Sequence, residues 1–378
     1  MGLARFRQRT TGKIDSWLLL AVLGLIGFGL VMISSSSVVV ASQQFDNNYT
    51  FVIRQATSFG LGLILLILFT VIDYRFWQRL APFLLALIFI LLLATLIPGI
   101  GTQLLGSRRW ISIGPIFFQT SEVIKVLSIV YFGAWLAAKE ERIRSFGQGF
   151  LPFVVMLGAI ALLVLAQPDA GTMMVLVSTL IAMYFAAGAP VLHLFFGLLL
   201  GGSLLGLLIL SAPYRLQRFL VFLNPDEATL GAAYHINQAL LAVGAGGLWG
   251  LGFGQSKQKF LYLPEPQTDS IFAITTEELG FIRAMLVFGV LLFVVYRGYR
   301  IAREVDDPFG KYVAVGVTSL IAFQSFVNIG AMLGLVPLTG VTLPFISYGG
   351  SSLLGMMVAT GLLLSVSRAI TPRIRSTV

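Results

Sequence analysis

One carboxylate in this chain stands where chemistry is possible. Asp269 lies in the polar stretch Ala245–Gly280, AGGLWGLGFGQSKQKFLYLPEPQTDSIFAITTEELG, set among long apolar runs. Lys257 and Lys259 come first, then a turn punctuated by Pro264 and Pro266, and Asp269 stands at the mouth of the next apolar run. An acid beside cations at a membrane surface suits an anionic, lipid-carried substrate. A partly desolvated carboxylate here can act as a base and take a proton from a hydroxyl as it attacks. The plainer reading is a helix cap, since Thr268 and Asp269 both favour that place. A helix N-terminus would lower the pKa of this acid and burial would raise it.

Other polar residues allow similar pairs of readings. Glu122 and Lys125 sit three apart on one helix face inside an apolar run, as a functional pair or as an ion pair that only permits burial. Arg108 and Arg109, in GSRRWISIG, either grip phosphate oxygens or, with Trp110, anchor the chain at the membrane interface. Arg215 and Arg218, in PYRLQRF, invite the same two readings. Asp169, in QPDAGT, sits in a turn made by Pro168 and Gly171, where an aspartate often bonds its own backbone. Glu277 and Glu278 fall about two turns inside the run that follows Asp269, where they meet other helices or a polar cavity. The segment Pro337–Ser352, PLTGVTLPFISYGGSS, holds two prolines and a glycine pair, and non-helical backbone there must be covered by protein or line a cavity.

The elements that must position these residues are membrane spans. Of the 378 residues 57% are hydrophobic and 11% charged, and the mean hydropathy is +0.92. Continuous apolar runs of about 20 residues each cross a bilayer as helix. Their lack of alternation excludes a β-barrel. An all-α integral membrane protein is expected, a polytopic bundle of about ten transmembrane helices. The spans run roughly over 16–41, 55–72, 79–98, 119–138, 150–167, 171–187, 190–211, 269–297, 311–335 and 345–368. One large extracytoplasmic loop, about 212–268, is too long to be an idle turn; in it, 234–245 reads as a short amphipathic helix. The whole chain, 1–378, reads as one membrane domain with no soluble domain.

Charge sets the orientation. With ten spans both termini share a side, and 16 of the 25 lysines and arginines fall on that side if it is the cytoplasm. The net charge of +9 is thus a topology signal rather than a sign of nucleic-acid binding. The exceptions on the outer face include Arg108, Arg109, Arg215, Arg218, Lys257 and Lys259, which work against that signal and point to another pressure. There are no cysteines, which excludes disulfides and thiolate chemistry, and only two histidines, too few for a histidine cage. The first apolar run is too long for a cleaved signal peptide and reads as a retained signal anchor.

In this order the segments SRRWISIGP, QTSEVIK, QPDAGT, YRLQRF, GGLWGLGFGQSKQKFLYLPEPQTDSIFAITTEELG and LPFISYGGSS resemble the SEDS family (shape, elongation, division and sporulation proteins) over nearly the whole chain. The GxSxQK form at 254–259, followed by YLPE, is closer to the division branch, with rod elongation as the near alternative. Four places depart from the pattern: Gln119, Thr120 and Ser121 where QPS is common, Gln267 where the family usually has His, Ser270 where it has Phe, and Arg283 where a small residue is usual. The Arg283 change puts local helix packing in question.

The resemblance implies a peptidoglycan glycosyltransferase of the bacterial cytoplasmic membrane. Such an enzyme polymerises lipid II at the outer face, with a cognate class B penicillin-binding protein as transpeptidase partner. Membrane lipid and other divisome or elongasome membrane proteins are further expected partners. The family's key aspartate maps onto Asp269, and its fourth-span glutamate and lysine onto Glu122 and Lys125. An α-linked diphosphate donor and a β-linked product imply one inverting displacement. Asp269 is then the base, and Arg108, Arg109, Arg215, Arg218, Lys257 and Lys259 are candidates to hold diphosphates. Lys125 is placed to pair with Asp269 across the bundle, and Glu122, Asp169, Glu277 and Glu278 support the site. A divalent cation, magnesium or manganese, is compatible with diphosphate chemistry, although no dedicated cage is visible. A lipid II flippase and a non-catalytic activator of the transpeptidase are the rival readings.

Overall fold

In hydrocarbon every backbone polar group must be bonded internally, and the apolar runs fold as helices in the computed structural model of this chain. The structure describes residues 12–45, 47–104, 107–113, 116–210, 216 and 231–370. In chain order the helices are α1 (Ser16–Ser36), the short α2 (Val38–Gln44), α3 (Thr50–Val71), α4 (Tyr74–Leu96), α5 (Thr120–Ala138) and α6 (Leu151–Ala166). Then come α7 (Ala170–Ala186), α8 (Val191–Leu210), α9 (Ala232–Gly246), α10 (Ile271–Glu304), α11 (Pro308–Met332) and α12 (Gly350–Ser367). Eight described helices are long and apolar enough to cross a membrane, counting α6 from its preceding turn at Phe146. Two shorter or less regular apolar helices, α7 and α8, fall on the remaining two expected spans.

The starts of several helices are written in the sequence. Asp15, Asp73, Asp169 and Asp307 each accept from a backbone N–H in the first turn of α1, α4, α7 and α11, satisfying donors that have no partner inside the helix. Helices α5, α11 and α12 form the inner layer, with α3 packed on α12, α4 on α5, and α7 and α10 on α11. Glycines permit the closest crossing: a side chain at Gly361 of α12 would run into the Leu66 carbonyl and Phe69 of α3.

Both ends of the described chain lie at one end of the bundle. Asp15 bonds Arg297 (2.6 and 2.9 Å) and takes its own amide to Ser367, while the Gly12 amide reaches the Arg368 carbonyl. At the far end of α1, Ser35 bonds Glu278 (2.7 and 2.8 Å). The helix between them has 21 residues, about 30 Å at 1.5 Å per residue, the thickness of a hydrocarbon core.

Three features differ from the expectation of simple spans. A three-stranded antiparallel sheet lies between α4 and α5: β1 (Gly101–Leu104), β2 (Ser107–Ile113) and β3 (Ile116–Gln119). The eighth span, α10, is broken at Gly280 (φ 80°, ψ 171°) and runs on to Glu304. The last helix begins at Gly350, because 333–349 is a non-helical strap. Of the long loop at 212–268, the part from 231 is described; it contains α9 where a short helix was expected.

Candidate active site

Asp269 closes the polar turn that leads into α10. The cap residue of that helix, Ser270, makes no side-chain cap bond; its hydroxyl donates to the Pro264 carbonyl (2.8 Å) and meets His235 Nε2 of α9 (2.7 Å). The Asp269 carboxylate accepts from the Thr268 hydroxyl (3.2 Å), which also bonds Glu265 (3.1 Å). Asp269 keeps part of its surface open while protein packs closely around it. Burial first, and the neighbouring Glu265 carboxylate second, push its pKa up to about 7, against the opposing pull of nearby amides and the Thr268 hydroxyl.

The strap 333–349 lies across this acid. Gly340, held at φ 66°, faces it: a Cβ there would sit 3.9 Å from Asp269 Oδ2. Hydrogen bonds from three directions anchor the strap. Gln55 of α3 bonds the Ser347 carbonyl and the Gly349 amide (3.2 and 3.1 Å). From α11, Gln324 donates to Thr342 (3.1 Å to the carbonyl) and Asn328 to the Val341 carbonyl (2.7 Å). The Tyr348 amide reaches the Gln267 carbonyl (2.9 Å), two residues before Asp269. On the other flank Gly171 has no room for a side chain against Thr339. Asp169, which caps α7 in that turn, is therefore near the same strap.

The charges inside α5 pair with each other. Lys125 bonds Glu122 (2.8 Å) and Gln324 Oε1 (2.7 Å) and is almost fully buried. The ammonium thus meets its own helix and α11, and no bond to Asp269 is present, unlike the cross-bundle pair expected from sequence. Lys259 is buried against Glu278 (3.0 Å), Ser35 (3.2 Å) and the Gly254 carbonyl (2.7 Å). Glu277 receives the Ser256 hydroxyl and the Lys257 amide (2.9 Å). The two glutamates of α10 thereby fasten the 254–259 loop to the bundle.

The arginines of the sheet divide by face. Strand alternation puts Arg109 with the buried Ile111 and Arg108 with Trp110, which stacks on Phe117. Arg109 pairs with Asp169 (3.5 Å) and bonds the Gln167 and Pro168 carbonyls, latching the sheet to the start of α7. Among the described residues Arg108 makes no ion pair, and Lys257 has an exposed side chain with none either. Arg215 and Arg218 lie outside the described residues.

The departures at Gln267, Ser270 and Arg283 are accommodated locally. Gln267 is buried with its amide 3.5 Å from Glu265, and Ser270 is fully buried in the bonds given above. Arg283 points outward and donates to the Trp249 and Leu279 carbonyls (3.0 and 3.4 Å), so the packing of α10 is undisturbed there. Sequence reasoning passed over Gln324, Asn328, Gln55, Ser35 and Glu265. The signal that finds the first two is polar residues four apart within an apolar span.

The sequence is similar to known proteins over almost all of its length. A family model described as cell cycle protein, covering FtsW, RodA and SpoVE, matches residues 16–371. Stage V sporulation protein E of Bacillus subtilis is 46% identical over 361 residues, 95% of this chain and 99% of that protein. A probable peptidoglycan glycosyltransferase FtsW of Saccharophagus degradans is 41% identical over 359 residues, 94% of this chain and 92% of that one. Among solved structures, a chain of a peptidoglycan synthase complex that coordinates polymerization and crosslinking matches with TM-score 0.79 and 27% identity, covering 94% of this chain and 98% of that chain. The rod shape determining protein RodA of Thermus thermophilus matches with TM-score 0.68 and 26% identity, covering 94% and 97%. With these matches and the helical bundle they share, the chain belongs to the FtsW, RodA and SpoVE family of cell cycle proteins, the SEDS family, and is a multi-pass membrane protein.

Proposed function

We propose that this protein is a peptidoglycan glycosyltransferase that polymerises lipid II at the outer face of a bacterial cytoplasmic membrane. The observation that carries the reading is Asp269, a carboxylate still open at the surface and tuned to about 7 by burial and Glu265. A base works best when its pKa lies near the working pH. Relatives named as probable peptidoglycan glycosyltransferases support the reaction class.

In the proposed step, Asp269 takes the proton from the acceptor's 4-hydroxyl. The oxygen forms a bond to the donor's anomeric carbon, the carbon–oxygen bond to the diphosphate breaks, and undecaprenyl diphosphate leaves with inversion. Of the six candidate cations, Arg108 and Lys257 are the described ones that make no ion pair and are proposed to steady the leaving group, with Arg215 and Arg218 as further candidates. Arg109 and Lys259 act by holding the sheet and the 254–259 loop in place. Among the described residues no three His, Asp or Glu side chains form a metal cage.

The orientation proposed has both termini in the cytoplasm and the Asp269 end outside. A class B penicillin-binding protein is the proposed partner, supported by the likeness to a chain of a peptidoglycan synthase complex. The test is glycan-strand formation from lipid II by the purified chain with such a partner, wild type against Asp269→Asn. Loss of polymer with the complex intact is expected. Normal polymer from Asp269→Asn would overturn the assignment of the base. Transport of labelled lipid II without polymer would favour a flippase, and transpeptidation that depends on the chain regardless of Asp269 would favour an activator.

A further inference from the structure

We propose that Asn328 is a positioning residue for Asp269, and that Gln324 ties the same strap to the Lys125–Glu122 pair. The proposal rests on Asp269 being the base. Both side chains lie on α11, four residues apart and so on one helix face, and both are buried. The Asn328 amide donates to the Asp269 carbonyl (2.8 Å) and the Val341 carbonyl (2.7 Å). One amide group thus bridges the backbone of the acid to the strap that faces the acid's side chain. Neither carbonyl belongs to a helix, so neither has a helical donor to fall back on.

Gln324 extends the bridge. A lysine ammonium can only donate, so Lys125 fixes the Gln324 oxygen towards itself (2.7 Å) and turns the amide nitrogen to Thr342 (3.1 Å to the carbonyl, 3.3 Å to the hydroxyl). The Thr342 hydroxyl passes on to Ser352 of α12 (2.8 Å). Consecutive strap residues, Val341 and Thr342, are therefore held by consecutive turns of one rigid helix. Gly340, the residue next to them, faces the Asp269 carboxylate. A slip of the strap would move that wall, and a lost Asn328 bond would free the backbone that carries the acid.

The groups that can alter the charge state of Asp269 come from every side. Glu265 lies on its own turn, and His235 of α9 reaches Ser270 next to it. Asp169 lies beyond Thr339, and Lys125 with Glu122 beyond Gln324. Asn328 is neutral, so Asn328→Asp is nearly isosteric, removes the donor and adds a charge close to Asp269.

The experiment uses the full chain with its class B partner in lipid nanodiscs and measures polymerisation of lipid II against pH. Asn328→Ala is expected to lower kcat by about 100-fold with KM little changed, the scale of a misplaced catalytic group. Asn328→Asp is expected to move the midpoint of the acid limb upward by about one pH unit, a shift that repulsion from a nearby carboxylate produces. A midpoint left where it was would mean that position 328 does not reach Asp269, and a fall in kcat that only follows a loss of thermal stability would mark a role in packing alone; either result overturns the proposal. So does wild-type kcat in Asn328→Ala. Asn328→Ser, whose single hydroxyl can donate to only one of the two carbonyls, serves if the other variants fail to fold; wild-type kcat there counts equally against the idea. Asp269→Asn, run in parallel, separates the two levels. If it polymerises normally the base assignment fails, whereas an inactive Asp269→Asn beside an unshifted Asn328→Asp sinks only the positioning role.

Discussion

A base that works near neutral pH needs a pKa close to 7, and Asp269 reaches it by two separable causes: burial first, the Glu265 carboxylate second. Below about 7 the acid is protonated and cannot take a proton, so with Asp269 as the proposed base polymerisation is expected to fall as pH falls through that value. Ionisation also works against the fold, so the stability that this group contributes is complete at low pH and is lost as pH rises through about 7. Glu265→Gln removes the second cause alone. Its acid limb should move to lower pH in a rate–pH profile, with the maximal rate largely kept; an unmoved limb would show that the two carboxylates do not interact. Asp269 itself was legible in the sequence as the acid in a polar turn. The duties of Lys259 and Arg109 were not, because their partners, Glu278 and Asp169, are distant in sequence and become neighbours only in the fold.

At the scale of elements the broken helix α10 decides how the site is built. Gly280 turns the chain out of helical geometry at φ 80°, and Gly250, at φ 84°, lies against it so closely that a Cβ on either would strike the other's backbone. The groups freed by the break are bonded by the 247–252 segment. Leu251 and Gly252 donate to the Glu277 and Glu278 carbonyls (both 3.0 Å), and Phe281 and Ile282 donate to Gly247 and Leu248 (2.9 and 3.2 Å). Irregular backbone is thus covered by protein, as membrane depth requires. The break orients Glu277 and Glu278 towards the 254–259 loop and sets the half-helix that begins beside Asp269. Gly280→Ala should destabilise the protein by at least about 1–3 kcal/mol, the usual cost of a strained backbone, and reduce polymerisation. Gly60→Ala, in open space on α3, should be close to neutral. Thermal unfolding of both variants in the same detergent checks the contrast, and equal midpoints would refute it. The apolar run gave notice of a helix here but not of its break, since one glycine in a span is ordinary and only the opposing glycine loop makes it a joint. The sheet at 101–119 escaped notice for a related reason. Its strands are short, and pairing between them, not the period of any one, defines it.

For the whole molecule, the two ends of the bundle are chemically distinct. One end gathers Lys139, Arg142, Arg144, Arg297, Arg300, Arg303, Lys311 and Arg368 around both ends of the described chain, and the other carries Asp269, Arg108 and Lys257. Eight of the ten expected spans match helices long enough to cross a membrane, with limits that could be read approximately from hydropathy, because lipid demands long apolar helices whatever else the chain does. Orientation rests on the bias of basic residues, which acts through retention on the cytoplasmic side. The absence of native cysteine makes this directly testable. Single cysteines at Lys257 and at Lys139 are both expected to leave the fold intact, since neither side chain is part of a described ion pair. In intact cells a membrane-impermeant maleimide should label Lys257→Cys and spare Lys139→Cys, and permeabilised cells should label both. The reverse pattern would place Asp269 on the side where an outer-face lipid-linked sugar cannot reach it. Labelling of both in intact cells would mean that the bundle does not form a single orientation. Only the first pattern leaves the acid, its strap and the exposed cations facing the compartment in which glycan strands grow.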